Sequence, residues 1–195
     1  MSIEKLYQYF NNYFPLNAEE SRELGLLFAE RTIKRRQFIL QQDDICHHFT
    51  FVISGCLKMY AVDKVGKQHN IQFATENDWI TDLTSFYAKQ PSKLCIEAIE
   101  STVILQIKHA DLLKLYVKYH TIDHNFRVII EQKYIELENR VLQSISSTAE
   151  ERYLLFLDQY KGLSKILPNT QIASYLGITP EFLSTIRKGL ARKNS

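Results

Sequence analysis

Cysteine is scarce in this chain. The three residues, Cys46, Cys56 and Cys95, are odd in number and far apart, and no Cys-x-x-Cys occurs. That spacing excludes a disulfide framework and points to reduced thiols used as small apolar residues in strands. No apolar run approaches the roughly 18 residues that a membrane span needs. The N-terminus, MSIEKLYQYF, lacks the basic start and apolar core of a secretion signal, so the expected compartment is the cytoplasm, away from membranes. There is no Gly-rich phosphate loop, no Ser/His/Asp arrangement in a recognisable setting and no paired set of metal ligands, so the sequence offers no enzyme and requires no cofactor. Asp78 and Asp82 lie four apart near a strand end and read as turn carboxylates, while His47 and His48 adjoin a strand start without the spacing of a metal site. A strong excess of either charge is also missing. The 24 Lys and Arg against 22 Asp and Glu leave a formal charge of +2. Residues 149–195 carry seven of the basic side chains and four of the acids, so the small excess is concentrated at the C-terminal end.

What is present is a change of periodicity along the 195 residues, enough for two small domains. Residues 1–30 have helical spacing. Leu6, Tyr9, Phe10 and Tyr13 form one apolar face, and Asn17 with Glu20 makes a capping box for a second helix. From Arg31 to Ile107 short apolar or alternating runs (QFIL, FTFVIS, CLKMYAV, HNIQFA, DWIT, KLCIEAIE, TVILQIK) are separated by turn residues. This is the signature of an antiparallel roll of two facing sheets. Helical spacing resumes over Ala110–Tyr119. It is followed by a long helix from about Thr121 to Ser144 that holds neither Gly nor Pro. Phe126, Ile130, Tyr134, Leu137, Val141 and Ile145 make a near-heptad stripe on it. A helix of roughly 35 Å is too long for one small roll to cover, and a two-fold partner helix is the economical cover. The expected dimer interface is therefore Phe126, Ile130, Tyr134, Leu137 and Val141. Ser147 with Glu150 resembles a capping box for the next helix, whose Tyr153, Leu154, Phe156, Leu157 and Tyr160 would build the core of a C-terminal domain.

The segment LPNTQIASYLGITPEFLSTIRK, residues 167–188, reads as a helix-turn-helix. Ile172, Ala173 and Leu176 repeat at helical spacing. Gly177 suits the left-handed turn, Thr179 is an N-cap, and Pro180 stands at the first helical position where its missing N–H costs nothing. Leu183 and Ile186 then turn inward. In DNA-binding pairs of this kind the second helix enters the major groove, and Glu181, Ser184 and Thr185 have the chemistry to meet base edges. Phe182 flanks the apolar stripe and is assigned to the core edge, with contact to a thymine methyl as the alternative. Arg187, Lys188, Arg192 and Lys193 form a basic cluster suited to phosphates.

The order of roll, long helix and helix-turn-helix resembles the Crp/Fnr family of bacterial transcription regulators. FILQQDD, FVISGCLKMY with Gly55 at the roll turn, NDWITDLTSF, EERYLLFL and IASYLGITPEFLSTIRKGL carry the resemblance. It implies an α+β fold: an N-terminal antiparallel β-roll of jelly-roll type over residues 1–120, a dimerisation helix over 121–146, and a helix-turn-helix domain over 147–195 with a reduced or absent wing. It also implies a homodimer bound to double-stranded DNA, with Pro180, Glu181, Ser184 and Thr185 facing the major groove and Thr179, Arg187 and Lys188 on phosphates. RNA polymerase is a further partner that the resemblance suggests. Members that bind cyclic AMP hold the ribose with a glutamate, and here Asp82 takes that place. They hold the cyclic phosphate with an Arg-Ser pair, where this chain has Ser92-Lys93. Leu137 lies where a polar side chain reaches the base. Asp82, Ser92, Lys93 and Leu137 are thus the expected effector pocket, but without the bidentate guanidinium that a cyclic phosphate requires. The effector is then an unknown small molecule. Iron–sulfur and haem chemistry find no ligands of the family's kind. The rival reading is a small-ligand or cyclic-nucleotide-binding module whose helix-turn-helix is only structural.

Overall fold

The computed structural model describes residues 2–193. The chain divides into two compact units, one made of residues up to Val62 with Ile71–Glu131, the other of Asp63–Asn70 with the residues from Gln132 onward.

The first unit opens with helices α1 (Ser2–Asn11) and α2 (Ala18–Leu27), the latter started by the expected Asn17–Glu20 capping box. Eight strands follow: β1 (Ala29–Ile33), β2 (Phe38–Leu40), β3 (His48–Ser54), β4 (Leu57–Val62), β5 (Gln68–Ala74), β6 (Trp79–Ile80), β7 (Leu94–Ala98) and β8 (Thr102–Lys108). They form two four-stranded sheets, β1-β8-β3-β6 and β2-β7-β4-β5. All seven strands expected from the sequence are present. The eighth, β1, is a correction to the helical reading of residues up to 30, because Ala29 and Glu30 pair antiparallel with Gln106 and Leu105 of β8. A short helix, α3 (Leu83–Ala88), lies between β6 and β7.

Helix α4 (His109–Lys118) and the start of the long α5 (His120–Ser146) close the unit. Their apolar faces meet one side of the first sheet around Trp79, whose ring centroid lies 4.8 Å from Phe51, 5.2 Å from Phe49, 5.3 Å from Phe126 and 6.2 Å from Phe10. Phe126 is therefore a correction to the expected interface. It is fully buried in its own chain, and Ile130 packs half-buried against the same core. Tyr134, Leu137 and Val141, farther along α5, are 64%, 53% and 52% exposed. The stripe is continuous in sequence, but its first turn is spent on the roll.

In the second unit α6 (Ala149–Gln159) starts from Thr148, not from Ser147. The Thr148 hydroxyl accepts from the Glu151 N–H, and the Glu151 carboxylate accepts from the Thr148 N–H at 2.7 Å. Tyr153, Phe156 and Tyr160 are buried as expected, whereas Leu154 is exposed because it falls on the opposite side of the helix. Helices α7 (Leu163–Ile166), α8 (Asn169–Leu176) and α9 (Pro180–Lys193) complete the unit, and no strand follows α9 among the described residues.

All three cysteines are free and buried, and burial pushes the Cys56 thiol up to about 12. No helix among the described residues is long and apolar enough to cross a membrane.

Gly55 joins β3 to β4 at φ +90, a backbone region that side chains disfavour. A Cβ there would stand 2.6 Å from the Ser101 carbonyl oxygen and from Thr102 Oγ1. Thr102 Oγ1 is itself engaged, accepting from the Cys56 N–H at 3.1 Å. Gly55→Ala is expected to lower unfolding stability by roughly 2–4 kcal/mol, from left-handed strain plus the clash; urea denaturation followed by Trp79 fluorescence measures it.

Candidate nucleic-acid interface and effector cassette

The helix-turn-helix is built as its residues dictate. Gly177 ends α8 at φ +70, and the Ile178 N–H returns to the Ala173 carbonyl at 3.0 Å, which closes the helix with a left-handed cap. Thr179 then starts α9. Its hydroxyl accepts from the Phe182 N–H at 3.2 Å and its carbonyl from the Leu183 N–H at 3.0 Å. Ile172, Ala173, Leu183 and Ile186 are buried between the two helices and the rest of the unit.

The remaining faces of α9 sort the expected contact residues. Thr179, Glu181, Thr185 and Lys188 are exposed, with Pro180 half-buried at the first turn. The Thr185 hydroxyl donates to the Glu181 carbonyl at 3.2 Å, a weak tie that leaves its lone pairs outward. Ser184 is half-buried; it donates to the Pro180 carbonyl at 2.9 Å and accepts from Asn169 Nδ2 at 3.3 Å. Arg187 is engaged more strongly inside the unit. Its guanidinium donates to Tyr153 Oη at 2.7 Å, to Asn169 Oδ1 at 2.6 Å and to the Ser164 carbonyl at 3.2 Å. These bonds tie α9 to α6, α7 and α8. Phe182, assigned from its position to the core edge, is instead 51% exposed beside Glu181. A ring at that place is the signal the sequence carried for an apolar contact, and only burial distinguishes it from a core residue. Lys193 donates to Glu150 at 2.8 Å. Exposed Lys188 stands among the surface side chains of the same helix without an acid partner in the described residues.

In the first unit α3 sits on a cassette that brings Asp82 and Ser92 together. Both are buried, and the Ser92 hydroxyl donates to Asp82 Oδ2 at 2.6 Å. Asp82 Oδ1 also caps α3 by accepting from the Ser85 N–H at 3.2 Å. Thr81 donates to the Ile80 carbonyl at 2.6 Å and accepts from the Thr50 N–H at 3.3 Å. Backbone bonds between Asp43 and Ser92 and between Ser92 and Asp44, each 2.8 Å, pin the cassette to the loop before β3. Lys93 is exposed, so no cation is held beside the buried Asp82 carboxylate among the described residues. Leu137 lies on the exposed stretch of α5, in the second unit. The polar groups of this cluster are thus satisfied within the roll.

Residues 30–119 match the cyclic nucleotide-binding domain family. A comparison with curated proteins finds no significant match. Among solved structures, FixK2 from Bradyrhizobium japonicum superposes with a TM-score of 0.74 at 20% identity, covering 86% of each chain. The global regulator CLP of Xanthomonas campestris, described as responsive to c-di-GMP, gives 0.72 at 11% identity over 91% of this chain and 93% of its own. A protein of Eubacterium rectale described as a transcriptional regulator of the Crp/Fnr family gives 0.71 at 16% identity over 93% and 88%. A roll that matches the cyclic nucleotide-binding domain family, followed by a helix-turn-helix unit in a chain that superposes along most of its length on these regulators, gives this protein the fold of the Crp/Fnr transcription regulators.

Proposed function

We propose that the protein is a homodimeric, sequence-specific DNA-binding transcription regulator whose effector is not cyclic AMP. The observation that carries this reading is the exposed N-terminal face of α9, where Glu181, Phe182 and Thr185 stand together above a capped helix start. A carboxylate can accept from a cytosine amino group, a hydroxyl can bond several bases, and an aromatic ring can meet a thymine methyl. Thr179 and Lys188 flank that face as phosphate contacts, and Pro180 shapes its entry. Ser184 and Arg187 serve the groove less directly, since their polar atoms hold the unit together.

The exposed apolar stripe Tyr134, Leu137 and Val141 supports pairing through α5 with a second copy, and two recognition helices would then read half-sites about 34 Å apart. RNA polymerase is the natural further partner of such a regulator. Against cyclic AMP stands the cassette: Ser92 spends its hydroxyl on Asp82, and among the described residues no guanidinium stands beside that pair to grip a cyclic phosphate. Selection of bound sequences from a random duplex library tests the reading. A two-fold motif is expected, and absence of any salt-dependent duplex affinity would leave the helix-turn-helix purely structural.

Three substitutions on α9 separate the roles. Glu181→Ala is expected to relax preference at one base pair by about 1–3 kcal/mol while barely changing affinity for random DNA. Lys188→Ala should weaken all sequences alike and flatten the slope of log K against log salt by about one. Arg187→Ala is expected to cost about 2 kcal/mol of unfolding free energy in the absence of DNA, because Tyr153 and Asn169 lose a charged partner. Chemical denaturation of the full chain reads that loss.

A further inference from the structure

The roll holds a cavity of about 290 Å³ that does not include Asp82, Ser92 or Lys93. It opens between the β1 edge of one sheet and the β2 edge of the other, and its two walls differ in chemistry. One wall is polar. Gln106 pairs with Ala29 of β1 and Thr50 of β3, and Arg31, two residues along β1, shares their side of the sheet. The Arg31 guanidinium donates to Gln106 Oε1 at 2.7 Å, and Gln106 Nε2 donates to Thr50 Oγ1 at 3.0 Å. Gln106 and Thr50 are buried, whereas Arg31 is exposed at the cavity mouth; the bond to Gln106 holds one guanidinium nitrogen and leaves its other N–H groups available. The opposite wall is apolar, formed by Ile39 and Leu40 of β2 and Ile96 of β7.

The rim carries Asp44, His47 and His48. Asp44 and His47 are exposed. His48 is half-buried, and burial together with the positive charge of Arg31 holds its pKa below the usual histidine value. It therefore stays a neutral hydrogen-bonding group around pH 7 and adds no second charge. No acid is paired with Arg31 among the described residues. No three His, Cys, Asp or Glu side chains among the described residues could share a metal ion.

A guanidinium tied to Gln106 and facing an aliphatic wall, in a cavity near the lower end of the size range of small-ligand sites, selects for a small anion with an apolar body. We infer that this cavity is a binding site for a small carboxylate, its head on Arg31 and its aliphatic part against Leu40 and Ile96. The inference does not depend on DNA binding. It places a ligand site in the roll apart from the cassette.

The test is an NMR titration of the full chain with 4-methylvalerate as probe, 4-methylpentanol as its uncharged isostere and sulfate as an anion without an apolar body. Saturable shifts of the Gln106 side-chain amide and the His48 and Thr50 backbone amides are expected with 4-methylvalerate. Affinity should fall by about tenfold or more for either control and for Arg31→Met, the loss of one charged bidentate contact. Arg35→Met removes the same charge from the neighbouring turn, outside the cavity, and should leave the titration unchanged. Equal affinity for acid and alcohol, an Arg31→Met protein that binds as well as the native one, or no saturable shift up to about 20 mM, weaker than any specific small-ligand site, would overturn the assignment.

Discussion

The packing of Trp79 is the constraint on which the first unit depends. Its indole is almost fully buried; Phe10 of α1 stacks on it, and rings from β3 and α5 approach it edge-on or tilted, at centroid distances from 4.8 to 6.2 Å. Stacked, tilted and edge-on contacts alike add to area burial and have preferred geometry, so they fix where each element lies and not only that it is buried. With one face of the β1-β8-β3-β6 sheet committed to these helices, the other face is left to meet the second sheet. Polar residues on that inner face, Thr50 and Gln106 among them, then have to be satisfied inside the roll, and the Arg31–Gln106–Thr50 chain is the result.

The cassette and the cavity illustrate two uses of buried polarity. At the cassette, Asp82 accepts from Ser92 and Ser85 while Thr81 bonds to Ile80 and Thr50, which stabilises the loop and α3 and leaves little to offer a ligand. At the cavity the polar chain ends in a guanidinium with spare donors. Buried polar groups are costly when unpaired, so a network that closes on itself is structural, and one that ends in available donors can serve a ligand.

In the second unit the same distinction separates Arg187 from Lys188. Adjacent on α9 and equal in charge, they read alike as phosphate contacts. The guanidinium of Arg187 points back to Tyr153, Asn169 and Ser164, and only Lys188 is left to the surface. The tip of the β4–β5 hairpin also belongs to this unit. Asn70 donates through its backbone N–H to Ser174 Oγ at 3.0 Å and through Nδ2 to the Gln171 carbonyl at 3.0 Å, and Arg140 donates to the Asn70 carbonyl at 3.1 Å. Helix α8, which supports α9, is thereby held by residues distant in sequence.

Local chemistry made most elements legible. Period-two runs marked seven of the eight strands, the Gly177–Pro180 stretch marked the helix-turn-helix, and the near-heptad stripe marked α5, because each of these follows from side-chain alternation or from a backbone preference that the residues carry themselves. The departures arose where two local readings were equally good and distant partners chose. Ala29 and Glu30 would continue a helix, but β8 pairs with them. Ser147 and Thr148 are both hydroxyls followed three residues later by glutamates, and the fold caps at Thr148. Phe126 and Tyr134 occupy the same stripe, yet one is fully buried in the roll and the other is 64% exposed. Periodicity states which side of a helix is apolar, and only tertiary structure states what covers it. The sequence by itself thus determined the order and type of most elements and the place of the helix-turn-helix. Which of its charged and polar side chains are spent on the fold, and which remain for a ligand or for DNA, was decided by contacts between residues far apart along the chain.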